Sequence, residues 1–362
     1  MIRFKLDDTR FYETQRYGHD ATRYILWKNE WYVVHDEYKR SLQTLSDKEV
    51  LAQPYVGNVW TADKGDPEPG CDLLYMCWGG IGDLISLTPI FRALKEEHGF
   101  ERIILSSPGI SKDWFNGYID HAIGYPVMQR RVEACDYIFL LENIFKLTFT
   151  RNLTDVFEER MGLSLNAERK QPFLAVDDDV VEYVRGLLPE KRGKYVAIHF
   201  AASTPERSIP IEKALAVAMS IADKGHTALL FGKWSDLTTH VASDHGRESQ
   251  REIRPGVYNL CGLLESQTEI IAAMSLVDFF IGPDSGLLHI AGALKKDGLA
   301  IFAPYPSSVR LAYYPTIRGI DVDEKYHTYN RDTFFPEEEQ RALYNEAMES
   351  IDWDAIVEEA VS

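Results

Sequence analysis

Three short stretches of this chain combine residue types whose chemistry goes beyond packing. "GGIGDLISL", from residue 79, sets Gly80, Gly82 and Asp83 at the mouth of a leucine-rich, helix-like run. "HFAASTPERSIP", from residue 199, offers the hydroxyls of Ser203 and Thr204 and the planar fork of Arg207, which suits phosphate. "GPDSGLLHIAGAL", residues 282–294, places Asp284, Ser285 and Gly286 at a predicted helix start, with His289 on the same helix. The exposed N–H groups of such a first turn, with a glycine that lets a ligand approach the backbone, make an anion site.

Each motif has competing readings. A Walker-type triphosphate cradle needs Gly-Lys-Ser or Gly-Lys-Thr, and Gly82 is followed by Asp83 and Leu84. A dinucleotide cradle needs GxGxxG, and a carboxylate at the helix start would repel a pyrophosphate, which disfavours hydride chemistry. At this turn a helix cap competes with a general base for the role of Asp83, and the cap leads. Asp284 stands where an N-cap belongs, and His289 reads equally as a satisfied core histidine or as a chemical group. No serine-hydrolase elbow is present, because Pro283 stands two before Ser285 where that motif has glycine. Asp177, Asp178 and Asp179 precede a helical run and read as helix-start residues rather than metal ligands. No cluster of His, Cys and acids has zinc spacing, so the expected metal is none.

Composition narrows the classes further. With 362 residues the chain is long enough for two domains, and 45% hydrophobic with 26% charged residues is a globular balance. A net charge of −17 opposes long-range attraction to nucleic acid or an anionic membrane surface. The four cysteines form no CxxC pair, which suits a reducing compartment. The amino terminus lacks the apolar core of a signal peptide and no run is long enough to span a bilayer, so the expected location is cytoplasmic.

The elements that must position the motifs follow from periodicity. Residues 1–70 are aromatic and strand-prone and predict a β-rich appendage, with a hairpin around Lys28-Asn29-Glu30. From residue 72, apolar runs alternate with amphipathic helices, the pattern of parallel βαβ units. The expected division is an appendage over 1–70, a Rossmann-like domain over 71–190, a second over 191–325, and a helical packing tail over 326–362. Ser266 and Glu269 have capping-box spacing. Lys295 and Lys296 are expected in the last turn of the His289 helix, with Gly298 just after it. All three motifs follow predicted strands, where doubly wound sheets bind ligands.

Taken in order over about residues 72–305, the three motifs resemble the ADP-heptose:lipopolysaccharide heptosyltransferase family, glycosyltransferase family 9. The resemblance implies an α/β protein of GT-B architecture, with two Rossmann-like doubly wound domains facing a cleft. It implies an inverting, metal-independent enzyme that needs no cofactor beyond a nucleotide-diphosphate sugar, ADP-linked and heptose-like. The acceptor, a lipid-linked glycan or other glycan or a protein, would lie mainly on the first domain beside the Gly80 and Gly82 loop, and the donor mainly on the second. Asp83 matches the family's proposed base. Asp284, Ser285, Gly286 and His289 match its donor-diphosphate segment, and Arg207-Ser208-Ile209-Pro210 falls on its Lys-x-Trp-Pro segment, with Ser203 and Thr204 just before. The chain departs from the family in its first 70 residues, in arginine for lysine at 207, in Ile209 for an aromatic, and in Ala303 for glycine. Those departures support a second expectation, a non-catalytic nucleotide-sugar or glycan-binding protein that retains the cleft.

Overall fold

A computed structural model of the chain describes residues 2–5, 10–14, 22–26, 30–34, 51–77, 80–107, 112–115, 117–141, 150–202, 207–232, 252–264, 266–327 and 337–362. The chain divides into two compact units. Met1–Gly80, Leu87–Phe145 and Thr154–Lys170 form the first; Ile81–Ser86, Lys146–Leu153 and Gln171–Ser362 form the second.

The first unit centres on a parallel sheet in the order Tyr137–Leu140, Asp72–Met76, Arg102–Ser106, His121–Ile123. The Asp72–Met76 strand is buried along its whole length, as a middle strand covered on both faces must be. The Thr88–Glu96 helix covers it, and Phe91 meets Tyr75 edge to face with ring centroids 5.1 Å apart. The described strands of the first 70 residues belong to this unit. Leu51–Pro54, Ile2–Lys5 and Trp31–Val34 join Val127–Met128 in one antiparallel sheet. The cause lies in Tyr32, Val33 and Val34, three successive buried residues that share a core with Leu74, Met76, Tyr125 and Val127. Among the described residues the two runs flanking Lys28-Asn29-Glu30 do not pair with each other: Thr22–Leu26 pairs with Arg10–Thr14, and Trp31–Val34 with Ile2–Lys5.

The second unit carries a seven-stranded sheet in the order Glu252–Arg254, Val257–Asn259, Thr227–Phe231, Tyr195–His199, Phe279–Pro283, Asp297–Phe302, Ile317–Asp321, parallel except at its first strand. The chain starts at Tyr195–His199, steps outward one way, then returns to lay Phe279–Pro283 on the other side. Strand order therefore reverses between Tyr195–His199 and Phe279–Pro283, and a doubly wound sheet opens a crevice at the carboxyl ends of such a pair. The Ile211–Asp223 helix and the expected tail helices, Glu337–Glu349 and Trp353–Val361, cover one face through Val217, Ile221, Met348, Ile356 and Val357.

Local signals hold where they depend on neighbours in sequence. The Asp177 carboxylate accepts from the backbone N–H of Asp179 at 3.0 Å and of Val180 at 3.2 Å, which makes it an N-cap. The Ser266 hydroxyl accepts from the Glu269 N–H at 3.1 Å. One end differs from expectation. The Gly286–Ala293 helix stops earlier, Lys295 takes the left-handed conformation at φ 54°, and Gly298 lies inside the next strand. There a Cβ would stand 2.6 Å from the Phe280 carbonyl oxygen, so strand contact, not helix termination, requires that glycine. Among the described residues no helix is long and apolar enough to cross a membrane.

Candidate functional site

The strands at the reversal point end side by side, and each delivers one motif. Arg207 follows Tyr195–His199, and Asp284 follows Phe279–Pro283. Asp284 is buried, and its Oδ2 accepts from Arg207 Nη1 at 2.8 Å and from the Tyr305 hydroxyl. Its Oδ1 lies 3.8 Å from Arg310 Nε, and the Arg310 guanidinium stacks over the Tyr305 ring at 5.0 Å. Burial alone would push the Asp284 carboxyl up, but Arg310 and Arg207 outweigh it and hold the group below the usual carboxylate range. Burial likewise opposes the charge on Arg207, and Asp284 more than offsets it, so Arg207 stays ionised. Tyr305 is pushed above the phenol range by burial and then by Asp284, and remains a neutral donor. One carboxylate thus faces two guanidiniums at the end of the sheet.

Asp284 is therefore a counter-ion and not the expected N-cap, because two arginines and a tyrosine claim its oxygens first. The cap position of the Gly286–Ala293 helix belongs to Ser285, in extended conformation. Its side chain makes no capping bond, and its buried Oγ has no hydrogen-bond partner among the described residues. A buried hydroxyl without a partner is costly, which fits a group whose partner is a ligand or water.

Asp83 lies in the Ile81–Ser86 helix, which belongs to the second unit rather than with its neighbours in sequence. Two glycines explain why. A Cβ on Gly82 would stand 2.4 Å from Cδ2 and 2.8 Å from Nε2 of His289, and one on Gly286 would stand 3.3 Å from the Ile81 Cβ. With hydrogen in those places, the Ile81–Ser86 and Gly286–Ala293 helices pack backbone against side chain. Asp83 is the third residue of its helix and half-buried; exposed Gly80 precedes the helix. Asp83 is thus not the N-cap, although an acid in a first turn suits the helix dipole.

His289 is buried, with Nδ1 2.8 Å from the Tyr314 hydroxyl and Nε2 3.8 Å from Asp284 Oδ1. Burial drives its pKa down to about 4, against the pull of Asp284, so the ring is neutral at physiological pH. The ring packs against Gly82 with its Nδ1 hydrogen-bonded to Tyr314. Ser203 and Thr204 lie outside the described residues. Arg310, Tyr305 and Tyr314 are the residues that sequence reasoning missed; the signal was a lone arginine among apolar and aromatic residues in "APYPSSVRLAYYP", directly after a strand. Among the described residues no group of three or more His, Cys, Asp or Glu could hold a metal ion.

Two α/β units on parallel sheets, one with two arginines on a buried carboxylate at its reversal point, fit the GT-B architecture. A profile of glycosyltransferase family 9 (heptosyltransferase) matches residues 119–334, more than half of the chain, and the chain belongs to that family. The matched span includes Arg207, Asp284, His289, Tyr305, Arg310 and Tyr314, and begins after Asp83. No curated protein matches the chain in sequence. Among solved structures, the chain is similar to a family 9 glycosyltransferase from Veillonella parvula, with a TM-score of 0.58 and 14% identity over 81% of this chain and 97% of that one. It is also similar to E. coli ADP-heptose lps heptosyltransferase II, with a TM-score of 0.53 and 17% identity over 76% and 99%. A third likeness is to the iron-containing dodecameric glycosyltransferase TibC from enterotoxigenic E. coli, with a TM-score of 0.57 and 12% identity over 82% and 77%.

Proposed function

We propose that the chain transfers a sugar, with inversion and without a metal ion, from a nucleotide-diphosphate donor to an acceptor hydroxyl, with Asp83 as general base. The observation that carries this reading is the pair of guanidiniums, Arg207 and Arg310, on the single buried carboxylate of Asp284 at the reversal point of the sheet. As the acceptor oxygen attacks the anomeric carbon, the bond from that carbon to the diphosphate oxygen breaks and negative charge grows on the leaving nucleotide. Two fixed guanidiniums beside a helix start stabilise that charge, the role a divalent cation fills elsewhere. The acceptor proton passes to the Asp83 carboxylate. Attack from the face opposite the leaving group inverts the sugar. An ADP-heptose-like donor is favoured by the family and by the ADP-heptose enzyme among the similar structures. The acceptor class is a glycan, lipid-linked or otherwise, or a protein.

The test is turnover of ADP-heptose in chelator over a panel of glycan acceptors, with wild type and Asp83→Asn. The expected result is activity that survives chelation, and a fall of ~10²–10⁴-fold in kcat for Asp83→Asn with donor KM within about threefold. Unchanged turnover in Asp83→Asn removes Asp83 from the chemistry. Donor binding without turnover on any acceptor favours the binding-protein reading instead.

A further inference from the structure

The contacts of His289 do not end at Asp284. Its Nδ1 meets the Tyr314 hydroxyl at 2.8 Å, and that hydroxyl is hydrogen-bonded to Ser86 on the Asp83 helix. The Ser86 hydroxyl in turn donates to the Gly82 carbonyl at 2.9 Å. Tyr314, His289 and Ser86 are all buried. Both rings lie against glycines: a Cβ on Gly292 would stand 2.3 Å from Tyr314 Cδ1, just as one on Gly82 would overlap His289. A continuous chain of contacts therefore runs from Asp284, through His289 and Tyr314, to the residues on either side of Asp83. The His289–Tyr314 and Ser86–Gly82 contacts are short, at 2.8 Å and 2.9 Å, and both rings rest on glycines, whereas Asp284 and His289 stand 3.8 Å apart.

We propose that Tyr314 is a positioning residue for catalysis: its hydroxyl ties the phosphate-side helix to Ser86 and so sets the placement of Asp83. This inference rests on the reading of Asp83 as the base. The neutral His289 ring suits the part, because it offers one donor and one acceptor nitrogen without adding charge beside the arginines. A catalytic carboxylate displaced by about 1 Å can lose on the order of 10²-fold in rate, so a small tilt of the Ile81–Ser86 helix is enough.

The experiment compares wild type, Tyr314→Phe, Ser86→Ala, the double variant, and Tyr314→Phe combined with Asp83→Asn. It measures ADP binding by calorimetry, turnover of ADP-heptose, and amide hydrogen exchange over residues 81–86. For Tyr314→Phe and for Ser86→Ala we expect kcat to fall ~10–100-fold, with donor KM and the Kd for ADP within about threefold. The double variant should be no worse than either single one, and Tyr314→Phe should cost nothing further once Asp83 is Asn, because groups that act as a unit are not additive. In wild type, ADP should slow exchange over 81–86, and Tyr314→Phe should abolish that effect. Should Tyr314→Phe fail to fold, Ser86→Ala carries the test, since it keeps the buried ring and its contact with His289. Retained kcat, a loss that adds fully to that of Asp83→Asn, or ADP protection that survives in Tyr314→Phe would overturn the inference and leave the proposed function standing. Failure of wild type to bind ADP or turn over donor would instead overturn the proposed function, and the inference with it.

Discussion

Asp284→Asn separates two roles that this carboxylate could have. The substitution keeps shape but removes the charge that balances Arg207 and Arg310. At an effective dielectric of ~20, unit charges at the observed 2.8 Å and 3.8 Å attract by about 6 and about 4 kcal/mol before desolvation is counted. Desolvation consumes much of that gain, and breaking a buried pair typically costs about 3–5 kcal/mol net. For a domain of this size that is a fall in melting temperature of roughly 6–20 °C. With the Asp284 charge gone the site should hold an anion at least as well as before, so the variant should bind ADP with undiminished affinity and gain more thermal stability from it than wild type does. Thermal melting with and without ADP, with calorimetric titration, reads both quantities. The pH dependence has a defined sign. The folded carboxyl sits below its unfolded value of ~3.9, so wild-type stabilisation is present above that pH and is lost as pH falls through the folded value, a loss that Asp284→Asn should no longer show. An unchanged melting temperature would refute the counter-ion role. A tenfold loss of ADP affinity at wild-type stability would make Asp284 a direct donor ligand instead.

Two further outcomes follow from His289. Its folded pKa of about 4 lies below the ~6.5 of free imidazole, so the unfolded chain takes the proton first and stability falls by up to ~3 kcal/mol as pH drops from ~6.5 to about 4. Denaturant unfolding across that range should show this slope in wild type, and His289→Phe should flatten it. Gly82→Ala sets a Cβ 2.4 Å from the His289 ring and should cost ~1–3 kcal/mol as an overpacked site. Combining it with His289→Ala should recover part of that loss, and melting curves of the three variants would reveal an effect that is merely additive.

The chain order alone determined the α/β character, the parallel strand order implied by alternating elements, and the three motifs at strand ends. It also determined the caps at Asp177 and Ser266, because a cap is a contract between residues two or three apart. Tertiary structure decided the partners. Whether Trp31–Val34 pairs with its neighbour in sequence or with Ile2–Lys5 and Val127–Met128 depends on which register buries Tyr32, Val33 and Val34, a sum over residues far apart in the chain. Asp284 reads as a cap locally because its propensity is local, and becomes a counter-ion because Arg207 and Arg310 arrive from 77 positions before it and from a later turn of the chain. The Asp83 helix rests on the His289 helix through hydrogen atoms at Gly82 and Gly286, and two glycines written 204 residues apart (286 minus 82) become a joint only when packing brings them together.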